Sequence, residues 1–240
     1  MKLRLMQRFS KAIAAIMLTM MVVCSAGCKK ADIPDSGAYN GHEFVNLGLS
    51  SGTLWATCNV GADSPEGYGD YFAWGETQSK TTYCESNYKY SHGCCNQLTK
   101  YCSQSDFGHN GFTDNLVTLQ SDDDAATANW GEGWRTPTYK EWVELLTKCT
   151  HTWTTRNGVK GCLFTGRNGN SIFLPAASSC MDDDSRLVGD DGSYWSSSLN
   201  KGLPEYAKGF KFIISFDDCD VYDDLGRTSG RSVRAVHSSK

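Results

Sequence analysis

Glycine punctuates this chain more than any other feature does. It accounts for 24 of 240 residues, against 5 prolines, and it falls between short runs rich in aromatic and β-branched residues. Such spacing predicts many tight turns joining short strands. The strand candidates are 43–49, 53–60, 69–75, 161–166, 171–175, 193–198, 207–216 and 230–236. Between 161–166 and 171–175 stands Arg167-Asn168-Gly169-Asn170, where Asn-Gly flanked by apolar runs predicts a two-residue hairpin turn. One helix is clear: Thr138 and Glu141 make a capping box after Pro137, and Trp142, Leu145, Leu146 and Cys149 then recur on one face. A shorter helix is expected over 122–129, with Ser121 as N-cap and Asp122-Asp123-Asp124 in its first turn, where they suit the helix dipole. Few helices among many short strands in mixed order predict an α+β fold of short mixed or antiparallel strands with two helices.

The first residues read differently. Lys2, Arg4, Arg8 and Lys11 precede an apolar run from Ala12 to Val23, and Ser25-Ala26-Gly27 leads into Cys28. That is the layout of a secretory signal, with an apolar run too short for a comfortable membrane span. Small residues directly before a cysteine resemble the lipobox of bacterial lipoproteins. The resemblance implies a signal peptide over 1–27, lipidation at Cys28, a polar tether over 28–38 and a domain over 39–238. Lys29 follows Cys28 with no aspartate there, so an outer-membrane lipoprotein is expected, facing the periplasm or the cell surface. Removing 1–27 takes away four basic and no acidic residues and moves the formal net charge from −4 to −8. Such a balance argues against nucleic acid and against anionic lipid; contact with the membrane is expected through the anchor alone.

Cys58, Cys84, Cys94, Cys95, Cys102, Cys149, Cys162, Cys180 and Cys219 remain after Cys24 and Cys28. Nine is odd, no CxxC occurs, and the spacing shows no regular framework. Cys58, Cys149 and Cys162 lie among core-like residues and read as buried thiols. Cys84, Cys94, Cys95 and Cys102 fall in a polar, loop-like region, where one disulfide or none is expected; their spacing does not match a zinc site.

Several words of the chain are specific: FVNLGLSSGTLWATCNVGA, YGDYFAWGET, DAATANWGEGWRTPTYKEW, TWTTRNGVKG, GRNGNSIFLPAA, GSYWSSS and GRSVRAV. In this order they resemble the Fibrobacter succinogenes major paralogous domain of Bacteroidetes lipoproteins, over roughly residues 42–236. The resemblance implies a C-type lectin-like fold, similar to that of formylglycine-generating enzymes. Those enzymes use a cysteine pair near the end of the domain. Here only Cys180 and Cys219 lie in the last quarter, each in an acidic stretch, so the chain reads as no enzyme. Trp130, Trp134, Trp142, Trp153 and Trp195 are expected in or near the core. Arg231 and Arg234, with Val233 and Ala235, are expected on one face of a final strand, in structural ion pairs.

Other motifs are weak. Gly48-Leu49-Ser50-Ser51-Gly52 fits G-x-S-x-G, but a nucleophile elbow needs a helix after it, and residues 53–60 read as a strand. No HExxH, P-loop or GxGxxG occurs, and His42, His92, His109, His151 and His237 are scattered without metal-ligand spacing. Ca²⁺ is the one cofactor the acidic clusters raise, at Asp122–Asp124, Asp182–Asp184, Asp190-Asp191 and Asp217–Asp224. The sugar-ligand words of calcium-binding lectins are absent, so no cofactor is expected.

The stretch FKFIISFDDCDVYDDL, residues 210–225, departs from the formulaic words around it. In some lectin-fold proteins of this kind the segment before the last strand is a variable binding face, diversified by a retroelement. The expected ligand-binding residues are Tyr194, Phe216, Asp217, Asp218, Asp220, Tyr222, Asp223, Asp224 and Arg227, mostly exposed and near the loop 181–192. The expected function is recognition of an extracellular glycan, peptide or protein partner. The alternatives are a self-associating surface or pilus-like component, and an enzyme akin to the formylglycine-generating group.

Overall fold

A computed structural model describes residues 34–181 and 188–238. They belong to one compact unit, Pro34–Lys240. Cys28 and the expected signal segment lie outside the described residues. The described residues are mixed α and β, with mostly antiparallel sheets and two α-helices. None of the described helices is long and apolar enough to cross a membrane.

One sheet has five strands in the order β1-β2-β3-β13-β4: β1 (Ser36–Tyr39), β2 (His42–Asn46), β3 (Thr53–Ala56), β13 (Val236–Ser238) and β4 (Trp134–Arg135). The globular unit thus includes residues 36–38, which the sequence assigns to the tether: they pair with Val45 to Glu43 of β2. A second sheet runs β5 (Thr150–Arg156), β6 (Val159–Thr165), β7 (Ser171–Pro175). A third runs β11 (Asp218–Gly226), β10 (Tyr206–Ile213), β9 (Asp191–Leu199), and the short β8 (Ser179–Cys180) and β12 (Gly230–Arg231) pair with each other.

The two helices are α1 (Ala125–Trp130) and α2 (Tyr139–Lys148). The capping box on α2 is present, with the Thr138 side chain accepting from the Glu141 amide and the Glu141 carboxylate accepting from the Thr138 amide at 2.7 Å. Its apolar face carries Trp142 and Leu145 into a core with Leu47, Trp55, Phe164, Ile172, Leu174, Phe210 and Phe212. Trp142 stacks on Phe210 at 4.7 Å and packs against Trp55 at 4.8 Å.

Several expectations are corrected. The β6–β7 hairpin forms, but Gly166 donates to the Asn170 carbonyl, so the loop is wider than two residues. The tight turn is at Asn157-Gly158, where Arg156 pairs directly with Val159 and both turn residues have positive φ, 48° and 84°. Residues 69–75 form no named strand; besides the bridge from Phe72 to Arg231, Asp70 donates to the Val60 carbonyl and Trp74 to the Arg227 carbonyl. The candidate 207–216 stops at Ile213, and Ile214–Phe216 is a 3-10 turn. The short helix starts at Ala125 rather than 122, capped by Asp124, whose carboxylate accepts from Ala126 and Thr127 amides. It also takes three hydrogen bonds from Thr136. Ser121–Asp123 is a separate 3-10 turn. Asp123 is not there for a helix dipole: its buried carboxylate accepts from Tyr90, from Tyr101 at 2.7 Å and from Lys100 at 2.6 Å. Burial alone would push its pKa up, but those bonds hold it down at about 2.

Arg231 and Arg234 form no ion pairs with described carboxylates. Arg234 donates to the Asn59 side chain and to the carbonyls of Ala56, Thr57 and Phe173. Arg231 donates to Ser193 at 2.7 Å and lies over the Trp195 ring. A separation of three residues in extended chain turns the two side chains to opposite sides rather than to one face. Desolvation lowers both guanidinium pKa values to about 10.

Candidate functional site: a cleft beside the outer sheet

In the third sheet, β11 is a strand where the sequence suggests an acidic loop, and strand periodicity sorts its residues. Cys219 and Val221 turn inward and pack on the core. Asp218, Asp220 and Tyr222 share the other face with Ile213, Lys211 and Gly209, their partners on β10. The next strand continues the rows, with Asp191 beside Ile213 and Ser193 beside Lys211. The row Asp220–Lys211–Ser193 ends on the buried Arg231.

This face opens onto a cleft of about 1280 Å³. Lys211, Ile213, Asp190 and Asp191 line one side, Tyr83 to Ser86 and Gly93 the other, and Ser178, Ser179, Met181, Val188, Phe216 and Thr228 complete it. Three of the six large hydrophobic residues exposed among the described residues border this cleft: Phe216 at 78%, Met181 at 60% and Val188 at 44%. Phe216 owes its position to Asp190, whose carboxylate accepts from the Ser215 amide at 3.1 Å and hydroxyl at 2.6 Å. Asp217 follows in the left-handed region, φ 51°, and accepts from the Trp153 indole at 2.6 Å, which fixes the turn from the far side.

The expected binding residues divide. Phe216, Asp217, Asp220, Asp223 and Asp224 are exposed, and Asp218 and Tyr222 are half-buried. The Tyr222 hydroxyl donates to Asp218 at 2.7 Å, and that acceptor raises the phenol pKa to about 12. Asp223 pairs with Lys208 at 2.9 Å. Two residues are corrected. Tyr194 is wholly buried, its hydroxyl donating to the Pro175 carbonyl at 2.6 Å. Arg227 is 1% exposed, with its guanidinium over Trp74 and donating to the Tyr88 hydroxyl and the carbonyls of Tyr101, Pro204 and Lys100. Both face inward because their neighbours offer acceptors that no exposed loop would. Of the loop 181–192, residues 182–187, including Asp182–Asp184, lie outside the described residues.

Sequence reasoning missed Lys211 and the wall of Tyr83 to Ser86 and Gly93, while Met181, Val188 and Asp190 belong to the loop 181–192 that it set beside the site. Only the alternation of Lys211 with Phe210 and Phe212 could have marked that lysine as outward-facing. Nor is the G-x-S-x-G segment an elbow: β3 follows it, and Ser50 donates to Glu144 at 2.7 Å. Of the two outcomes left open for Cys84, Cys94, Cys95 and Cys102, one disulfide or none, the structure has none. All nine described cysteines are free, with Cys149 and Cys162 buried as expected and Cys58 only half-buried.

No family model, curated protein or solved structure matches this chain.

Proposed function

We propose that this protein is a lipid-anchored, extracytoplasmic binding module of C-type lectin-like fold that recognises a glycan or peptide in the cleft beside β9–β11. One observation carries the reading: exposed Phe216, Met181 and Val188 gather at one large cleft instead of scattering over the surface. Clustered apolar side chains rimming polar groups are a common signature of a recognition surface. Within the cleft, Phe216 supplies a face for the apolar side of a sugar or side chain, and Lys211, Asp190 and Asp191 supply hydrogen bonds. The adjoining carboxylates Asp218, Asp220 and Asp224 favour a polyhydroxyl or cationic partner whose affinity falls with salt. The collinear words support the lectin-like fold, and Ser25-Ala26-Gly27-Cys28 supports the anchor and the outer-membrane location.

The test is a glycan array and a peptide library probed with the wild type, Phe216→Ser and Lys211→Ala. Both substitutions sit outside the core, so each variant is expected to fold and to lose binding at least tenfold. Hits retained unchanged by both variants would place the site elsewhere. Labelled palmitate is expected to enter the wild type and not Cys28→Ser; equal labelling would remove the anchor from the reading.

A further inference from the structure

The wall that closes the cleft opposite the sheet carries a second chemical feature. A carboxylate oxygen of Glu85 and the sulfurs of Cys94 and Cys95 all lie within 4.8 Å of one another. We propose that these three side chains form a site for a thiophilic divalent cation of the zinc class, with Glu205 available to close the coordination.

The donors come from two short segments, each held by its own hydrogen bonds. Glu85 opens a 3-10 turn, Glu85–Asn87. Asn87 anchors that turn by donating to the Thr82 carbonyl at 3.1 Å and accepting from Lys80 at 3.1 Å. The two cysteines sit at the tip of a tight turn in which His92 donates to the Gln97 carbonyl and Gln97 to the Cys94 carbonyl, both at 3.0 Å. The Ser91 hydroxyl adds a bond to each side of Cys94, accepting from its amide at 3.0 Å and donating to its carbonyl at 2.7 Å. Two thiols are therefore presented together on a braced turn, facing a carboxylate on another.

Glu205 lines the same small cavity, about 140 Å³, as Glu85 and Cys95. Among the described residues neither carboxylate has a salt-bridge partner. Arg227 also lines the cavity, but its donors are taken by the Tyr88 hydroxyl and three backbone carbonyls. The group thus brings two thiols and a carboxylate within reach of one dication, with a second carboxylate on the adjoining cavity. Zinc takes thiolate sulfur at about 2.3 Å and carboxylate oxygen at about 2.0–2.2 Å in a tetrahedron, so small side-chain rotations bring donors spaced as here onto one ion. Two sulfurs select against Ca²⁺ and Mg²⁺, which want oxygen alone. Cys95 and Glu85 are exposed and Cys94 half-buried, leaving an open approach. Binding would release the two thiol protons to solvent as the thiolates form. Adjacent cysteines lack the usual C-x₂₋₄-C spacing, so the sequence argues against zinc; the third ligand is supplied by folding, not by a motif.

The reading does not depend on what the large cleft binds. The experiment is titration of the reduced full-length protein with Co²⁺, read as thiolate-to-cobalt charge-transfer absorption, then displacement by Zn²⁺. One equivalent is expected to bind and to be displaced by zinc. Cys94→Ser/Cys95→Ser is expected to abolish the absorption, Glu85→Gln to weaken binding at least tenfold, and Cys180→Ser to change nothing. No charge-transfer absorption in the wild type, or the same absorption in the double variant, would overturn the site. Should the double variant misfold by near-UV circular dichroism, Glu85→Gln decides: unaltered affinity overturns the proposal.

Discussion

Two interiors coexist in this protein. Around Trp142 the contacts are apolar and non-directional: Leu145, Phe164, Phe210 and Leu174 exclude water, and shape does most of the specifying. Around Arg227 the interior is buried as well but polar. Tyr88 accepts from Arg227 and donates to the Trp74 carbonyl, while Asp123 collects Tyr90, Tyr101 and Lys100. The first interior can lose a methylene and relax in part. The second ties its side chains to named acceptors, so a single deletion strands several buried partners at once. The polar interior also carries the long irregular segment 57–120, where the described structure has short 3-10 turns and isolated bridges instead of strands. Hydrogen bonds to named atoms there replace the ladders that organise the rest.

This contrast orders the expected effects. Arg227→Ala should be the most damaging, about 3–5 kcal/mol in urea denaturation, because it opens a cavity, leaves three carbonyls without that donor and takes from the Tyr88 hydroxyl the bond it accepts. Arg227→Met fills the space without donors. If it is as stable as the wild type, the polar interior is dispensable for stability and the comparison fails. Leu145→Ala should cost about 2–5 kcal/mol, and its cost should add to that of a distant surface change. Acid should act on the polar interior. The Asp123 pKa is lowered from 3.8 to about 2, so its stabilisation of about 2 kcal/mol is complete above pH 4 and disappears as the pH falls toward 2. The mutant Asp123→Asn should lack that part of the acid dependence; an unchanged pH profile would remove Asp123 from the network. Smallest is Glu144→Ala, about 1 kcal/mol, through loss of the bonds from Ser50 and Ser51 that tie the β2–β3 loop to α2.

The apolar interior was largely legible. Its helix announced itself through Thr138, Glu141 and a 3.6-residue period, and β2, β3, β6, β7, β9 and β10 each overlap an alternating or apolar run. The polar interior was not, because a tyrosine or aspartate carries no period and looks the same in a loop as in a buried network. For that reason the sequence places Asp123 at a helix start and Arg227 on an exposed face, and both are buried. Odd composition singles out Phe216, Asp218, Asp220 and Tyr222, of which Phe216 lines the cleft, and it places the loop 181–192 nearby. Lys211 needs the register of β10. Strand β11 was hidden by its aspartates, since a charge-rich segment reads as a loop until a neighbour shows that every second residue packs inward.

The place of β13 has a consequence for the order in which the chain is made. Its residues, Val236–Ser238, lie between β3 and β4, joining Leu54 on one side to Trp134 on the other. A nascent or translocating chain therefore holds both flanking strands long before the segment that unites them emerges. The five-stranded sheet cannot close during synthesis, and its assembly waits on a contact spanning about 180 residues of sequence, a separation that slows folding.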